Sequence, residues 1–224
     1  LQSSAASDVY KRQEYEFVGH GLRSGDSRER MEEGLELLQR AWREAPMTFN
    51  GRFHQVEVPE IRPRPVQNPH PPLWRSVISP GSFVDCGRAA VPILTSRLPV
   101  DKIAERWALY EQGLDEGGHS EGVRQKLRAQ NALWRNVYVA ESDAQAEDEL
   151  SAFLTETRHH MMHVRDAHNP DDFVLDPVTL NVWTDPSVSD AEALPFVLET
   201  GSIYGSPERV KEQIAELHDA GVRH

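Results

Sequence analysis

The chain has 224 residues, 24 of them Lys or Arg and 36 Asp or Glu, for a formal net charge of −12; nothing in that balance would neutralise a polyanion, so nucleic-acid binding is excluded. No run of about 18 apolar residues occurs, which excludes a membrane-spanning helix, and Cys86, the single cysteine, excludes a disulfide framework and a Cys-based zinc site. One thiol and no charged-then-apolar leader point to a reducing, cytoplasmic setting.

Ser3 to Gln13 read SSAASDVYKRQ and resemble the in-frame translation of an adapter used to make sequencing libraries. Residues 1–13 are therefore set apart as non-native, and 14–224 are expected to form one partial domain. At the far end, HDAGVRH leaves a helix through Gly221 and stops where a strand is expected.

Ser27 to Glu44 has helical spacing, with Met31, Leu35, Leu38 and Trp42 on one face, Ser27 as N-cap and Pro46 marking the end. Met47 to Val58 places Asn50-Gly51 between two alternating arms, which predicts a hairpin with a tight turn. Six prolines between 59 and 72 then impose an extended connection. Leu73–Ile78 reads as a buried strand, Ser79–Ser82 as a turn and Phe83–Ala90 as a short helix; Val91–Thr95 is a second strand, whose Pro92 suits only its start. Val100–Glu116 is a helix with Ile103, Trp107, Tyr110 and Leu114 on one side, closed by Gly117-Gly118. Leu133–Ala140 is a third strand. Helices follow over 142–163 and 189–199, separated by an irregular Asp- and Pro-rich stretch, and Ser206-Pro207-Glu208 opens the last helix. Helices alternating with three continuously apolar strands predict a parallel α/β sheet.

Few motifs could carry chemistry. In Val77–Asp85, VISPGSFVD, a strand gives way to a Gly-containing turn and a helix, leaving outward N–H groups at Gly81 and Ser82, with the Ser79 and Ser82 hydroxyls beside them. Such a turn can hold an anion, most often phosphate; it also fits plain capping, with Ser82 and Asp85 as a capping box. His159 and His163 lie one helical turn apart, with His160 between them, a spacing that can chelate a metal, but no third ligand is singled out and no metal site is expected. His54, His70 and Cys86 are read as structural, and Trp42, Trp107, Trp134 and Tyr110 as core.

Several runs together resemble the luciferase-like monooxygenases, flavin-dependent relatives of bacterial luciferase. They are RERMEEGLELLQRAW at 28–42, GRFH at 51–54, RPRPVQNPHPPLW at 62–74 with SPGS at 79–82, NVYVAESDA at 136–144, and GSPERVKEQI at 205–214 followed by AGV at 220–222. The resemblance implies a (β/α)8 barrel, of which this chain holds strands five to seven. The first four strands, with the catalytic side chains, are expected before Glu14 and the eighth after His224, so no catalytic residue is named. It also implies reduced FMN, or a deazaflavin in some relatives, with the phosphate held by Ser79, Gly81 and Ser82. The implied reaction is oxygenation of a small organic substrate by molecular oxygen, with a separate flavin reductase and a homo-oligomeric whole. A deazaflavin-dependent dehydrogenase or reductase, or a non-catalytic flavin-binding relative, is the alternative. Two positions depart from the family pattern: Gly81 stands where Glu is common, and Ala90 where a Gly usually precedes the next strand.

Overall fold

A computed structural model describes residues 14–171 and 182–224. The adapter-like residues 1–13 and part of the Asp- and Pro-rich stretch lie outside the described residues. The described residues divide into two compact units, one up to Leu73 and one from Trp74 onward.

In the first unit, α1 (Glu14–Gly19) leads through a 3-10 turn into α2 (Ser27–Arg43). Asp26, not Ser27, occupies the N-cap. The apolar side of α2 is buried or half-buried as expected along Leu35, Leu37, Leu38, Ala41 and Trp42, with one exception at its start. Ala41 and Leu37 pack with Met47, Phe49, Val58 and Ile61, whereas Met31 is exposed.

Strands β1 (Met47–Asn50) and β2 (Gln55–Val58) pair antiparallel, with Asn50 opposite Gln55. The hairpin is therefore closed by a four-residue loop, not the tight turn expected from Asn50-Gly51. The reason is a long-range contact. The Glu33 carboxylate of α2 accepts the N–H groups of Arg52 (2.7 Å), Phe53 (2.8 Å) and His54 (2.7 Å) and pairs with His54 Nδ1 at 3.0 Å. Burial disfavours its charge, but these donors prevail and hold Glu33 below the usual carboxylate range. Three amides that a tight turn would have to satisfy locally are satisfied from another element.

The second unit is built from parallel strands with helical connections. The order is β3 (Arg75–Ser76), α3 (Pro80–Arg88), β4 (Ile93–Ser96), α4 (Val100–Glu116), α5 (Glu121–Arg128), β5 (Ala132–Trp134), β6 (Asn136–Val139), α6 (Asp143–His168), α7 (Asp190–Gly201), β7 (Ser202–Gly205) and α8 (Pro207–Asp219). β3, β4 and β5 form one parallel sheet, β6 and β7 another; among the described residues no closed barrel forms.

The predicted strand at 73–78 is reduced to two paired residues, although Val77 N–H still donates to Leu94 O at 2.9 Å. Pro92 sits just before β4, where its carbonyl accepts from Arg75 N–H at 2.9 Å and its missing donor costs nothing. The single strand expected at 133–140 is interrupted at Arg135. That half-buried guanidinium donates to the carbonyls of Leu98 (2.5 Å), Glu199 (2.7 Å) and Ser202 (3.2 Å), and burial lowers its pKa. β5 consequently pairs with β4, and β6 with β7.

Two elements escape the sequence pattern. β7 is a further parallel strand, four residues long, running directly out of α7. α5 is largely polar; Leu127 anchors it in the core, and Arg124 and Arg128 pair with Glu111 of α4. The last residues lie against β5: Arg223 N–H donates to Asn131 O (3.3 Å) and Leu133 N–H to His224 O (2.9 Å).

Two apolar cores support the unit. One joins Val77, Phe83, Cys86, Ile93, Ile103, Tyr110 and Leu114 to Ile203, Val210 and Leu217. The other gathers Leu150, Leu154, Trp183, Ala193 and Val197 between α6 and α7. Among the described residues no helix is long and apolar enough to cross a membrane.

Candidate functional site

The SPGS turn is the first turn of α3, not a turn ahead of it. Ser79 is the N-cap, in extended conformation (φ −71°, ψ 142°), and Pro80 is the first helical residue, where its fixed φ suits the helix and its lack of N–H is harmless. Helix formation thus starts three residues earlier than expected. The capping-box reading is corrected by the same observation: Ser82 is inside the helix and not its N-cap, and Asp85 pairs with Arg88 at 3.0 Å.

Ser79 makes no side-chain cap to the helix amides. Its Oγ lies 2.8 Å from Ser82 Oγ, while Ser82 N–H turns back to Ser79 O at 3.0 Å. Ser79 and Gly81 are exposed and Ser82 is half-buried. A Cβ at Gly81 would meet nothing within 4 Å, so the space over this turn is open. Two adjacent hydroxyls, the exposed Gly81 and the positive end of a helix dipole therefore lie together. The structure brings Ser79, Gly81 and Ser82 into one turn that starts three residues beyond the carboxyl end of β3. That donor set is chemically matched to the oxygens of an anion.

The Ser-Pro start recurs at Ser206-Pro207 with a different outcome. There the Ser206 hydroxyl accepts from Arg209 N–H at 3.4 Å, and Ser206 N–H donates to Asp143 Oδ1 at 2.7 Å. An acidic side chain already occupies the place an anion would take.

The remaining candidates do not converge. His159 Nε2 lies 2.6 Å from Asp190 Oδ2, and His160 and His163 stay on the same helix without joining it. Among the described residues no group of three or more His, Cys, Asp or Glu is arranged to hold a metal ion. His54 serves the Glu33 contact. His70 lies against Trp42, with ring centroids 5.8 Å apart, and its Nδ1 is 2.7 Å from Pro71 O. Cys86 is buried in the core under α3.

Arg158 carries a signal in the sequence pattern of α6. Ala146, Leu150, Leu154 and Arg158 follow one another at four-residue steps along α6, so an arginine continues an apolar stripe. It is buried, and all its partners belong to the segment 183–190.

A family model described as luciferase-like monooxygenase matches residues 11–224. The chain belongs to the luciferase-like monooxygenase family. Membership gives the departure at Ala90 a structural meaning: the residue adopts φ 53°, a left-handed conformation that glycine takes without strain. The chain is 24% identical over 143 residues to the oxygenase component of a flavin-dependent trigonelline monooxygenase from Acinetobacter baylyi, covering 60% of this chain and 36% of that protein. It shares its fold with the oxygenating constituent of 3,6-diketocamphane monooxygenase from Pseudomonas putida, solved with FMN, at TM-score 0.60 and 19% identity, covering 91% of this chain and 57% of that one. It likewise shares its fold with a coenzyme F420-dependent tetrahydromethanopterin reductase from Methanopyrus kandleri, at TM-score 0.56 and 17% identity, covering 86% and 55%. The chain thus spans about a third to a little over half the length of these relatives.

Proposed function

We propose that the protein acts as a flavin-dependent monooxygenase that uses reduced FMN and molecular oxygen on a small organic substrate, and that Ser79, Gly81 and Ser82 receive the FMN phosphate. The observation that carries this reading is the open first turn of α3, with its two hydroxyls 2.8 Å apart and the open space beside the exposed Gly81, in a chain of this family. The parallel βα units are read as part of an eight-stranded (β/α)8 barrel, with residues 14–224 a partial domain of it, and the turn sits at the strand carboxyl end where such barrels bind ligands.

The residues present fit the group. A phosphate needs several short donors on one side, and this turn presents them with its helix dipole pointed the same way. When bound, the flavin supplies the oxygen chemistry. The chain's own part is to anchor the phosphate through the Ser79 and Ser82 hydroxyls and the Gly81 N–H, which fixes how the cofactor projects over the strand ends. A separate reductase is expected to supply the reduced flavin, in keeping with a relative described as an oxygenase component. The fold is shared with an F420-dependent reductase, so a deazaflavin reading stands second; its phosphate would seat on the same turn.

Fluorescence titration with FMN and with coenzyme F420 tests both. Saturable binding of FMN is expected, weakened about tenfold or more by Ser79→Ala or Ser82→Ala, since each hydroxyl bonds a charged group. Preferential binding of F420 would transfer the assignment to the second reading. Binding of neither, or no effect of either substitution, would sink both.

A further inference from the structure

We infer that Gly87 and Gly113 are positioning residues: their reciprocal backbone contact sets where α3, and with it the Ser79–Ser82 turn, stands. The inference rests on the reading of that turn as an oxyanion cradle.

A Cβ added at Gly113 of α4 would lie 2.1 Å from Val84 O and 2.9 Å from Arg88 N. A Cβ added at Gly87 of α3 would lie 2.3 Å from Tyr110 O and 2.9 Å from Leu114 N. The contact is two-way: Val84 and Gly87 are three apart on one helix, Tyr110 and Gly113 three apart on the other, and each glycine faces the other helix's carbonyl. Neither glycine has positive φ. Backbone conformation does not require them, and glycine is the poorest helix former short of proline. What they provide is close approach, in which Cα–H groups can meet the facing carbonyls.

The contact lies close to the cradle. Val84 is two residues beyond Ser82, and α3 has only nine residues, about 13 Å of helix. Phe83 and Cys86, both fully buried, bind the same face of α3 to the core. Ser79 and Gly81 have no such anchor, so the turn goes where the helix goes. Relief of a methyl–carbonyl overlap needs the helices to separate by roughly 1 Å, against a tolerance of about 0.5 Å for a preorganised binding geometry. Such a shift would carry the hydroxyls and the Gly81 amide off the ligand without altering any of them.

The test compares Gly113→Ala and Gly87→Ala with Leu154→Ala, a cavity variant in the other core, at conditions where all are folded. Amide resonances of Gly81 and Ser82 are recorded without ligand, and FMN affinity is measured by titration. The glycine variants should move both resonances and weaken FMN about tenfold. Leu154→Ala, matched in lost stability, should do neither. Unmoved resonances in folded glycine variants, or equal loss of affinity in Leu154→Ala, would overturn the inference. If the unaltered protein takes up no FMN, the flavin reading fails by itself, and the ligand-free resonances still decide the positioning role. Variants unfolded in buffer are examined in trimethylamine N-oxide, which favours the compact state. Failure to fold even there would make the contact a folding determinant and overturn the inference.

Discussion

Arg158 is where one substitution should cost the fold most. Its side chain is 6% exposed, and its guanidinium donates to Trp183 O (3.1 Å), Asp185 O (2.9 Å), Val188 O (2.7 Å) and Asp190 Oδ1 (2.5 Å). All four acceptors lie on the segment that returns the chain to α7, and the guanidinium carbon also sits 5.9 Å from the Trp183 ring. Arg158→Met keeps the stem and removes every donor. Bonds from a charged donor contribute about 1.5–3 kcal/mol each but do not add, and breaking one side of a buried charge pair costs about 3–5 kcal/mol. Asp190 keeps His159 and is partly exposed, so the lower part of that range applies, near 3 kcal/mol. Arg158→Lys should recover little, because a compact ammonium cannot reach acceptors spread around a planar fork. Guanidinium unfolding followed by circular dichroism should shift its midpoint down by on the order of 1 M. A Met variant within about 1 kcal/mol of the original protein would refute the reasoning, since apolar replacement of buried charge can be neutral when the stranded acceptors find solvent.

Two further outcomes follow from other contacts. Glu111 accepts from Arg128 (2.7 and 2.8 Å) and Arg124 (3.0 Å), and these bonds, against the effect of burial, hold its pKa below the ordinary 4.5. Its contribution is complete above the ordinary value and lost as pH falls through the lowered one. The stability gap between the original protein and Glu111→Gln should therefore be wide near neutrality and close in acid; a gap unchanged to about pH 3 would contradict the assignment. Ala90→Gly should stabilise by about 0.5–1 kcal/mol, because relief of left-handed strain exceeds the extra freedom of glycine in the unfolded chain; a loss of thermal stability would show that φ 53° costs nothing there.

What could be read in advance was local. Val100–Glu116 emerges with the predicted bounds because its apolar residues recur at helical spacing and a glycine pair ends it. Ser206-Pro207-Glu208 opens a helix as expected because the cap hydroxyl, the fixed φ and the acid all act within one turn. That Ser79, Gly81 and Ser82 share one turn was legible for the same reason: they are neighbours in sequence, so their juxtaposition needs no knowledge of the rest of the chain.

The misreadings share an opposite cause. Asn50-Gly51 predicts a tight turn, but Glu33 supplies its hydrogen bonds from α2. The strand at 133–140 breaks because Arg135 finds carbonyls from two distant segments, and α5 is held by Leu127 in the core and by Glu111 on its arginines. The glycines of α3 and α4 look like weak helix positions until the helices are seen to touch through them. The sequence by itself determined which stretches could be helix, strand or turn, since those choices depend on residues within a few positions of one another. Only the tertiary structure decided which strands pair, where one is interrupted and how close α3 approaches α4, because these depend on partners far along the chain that no local pattern encodes.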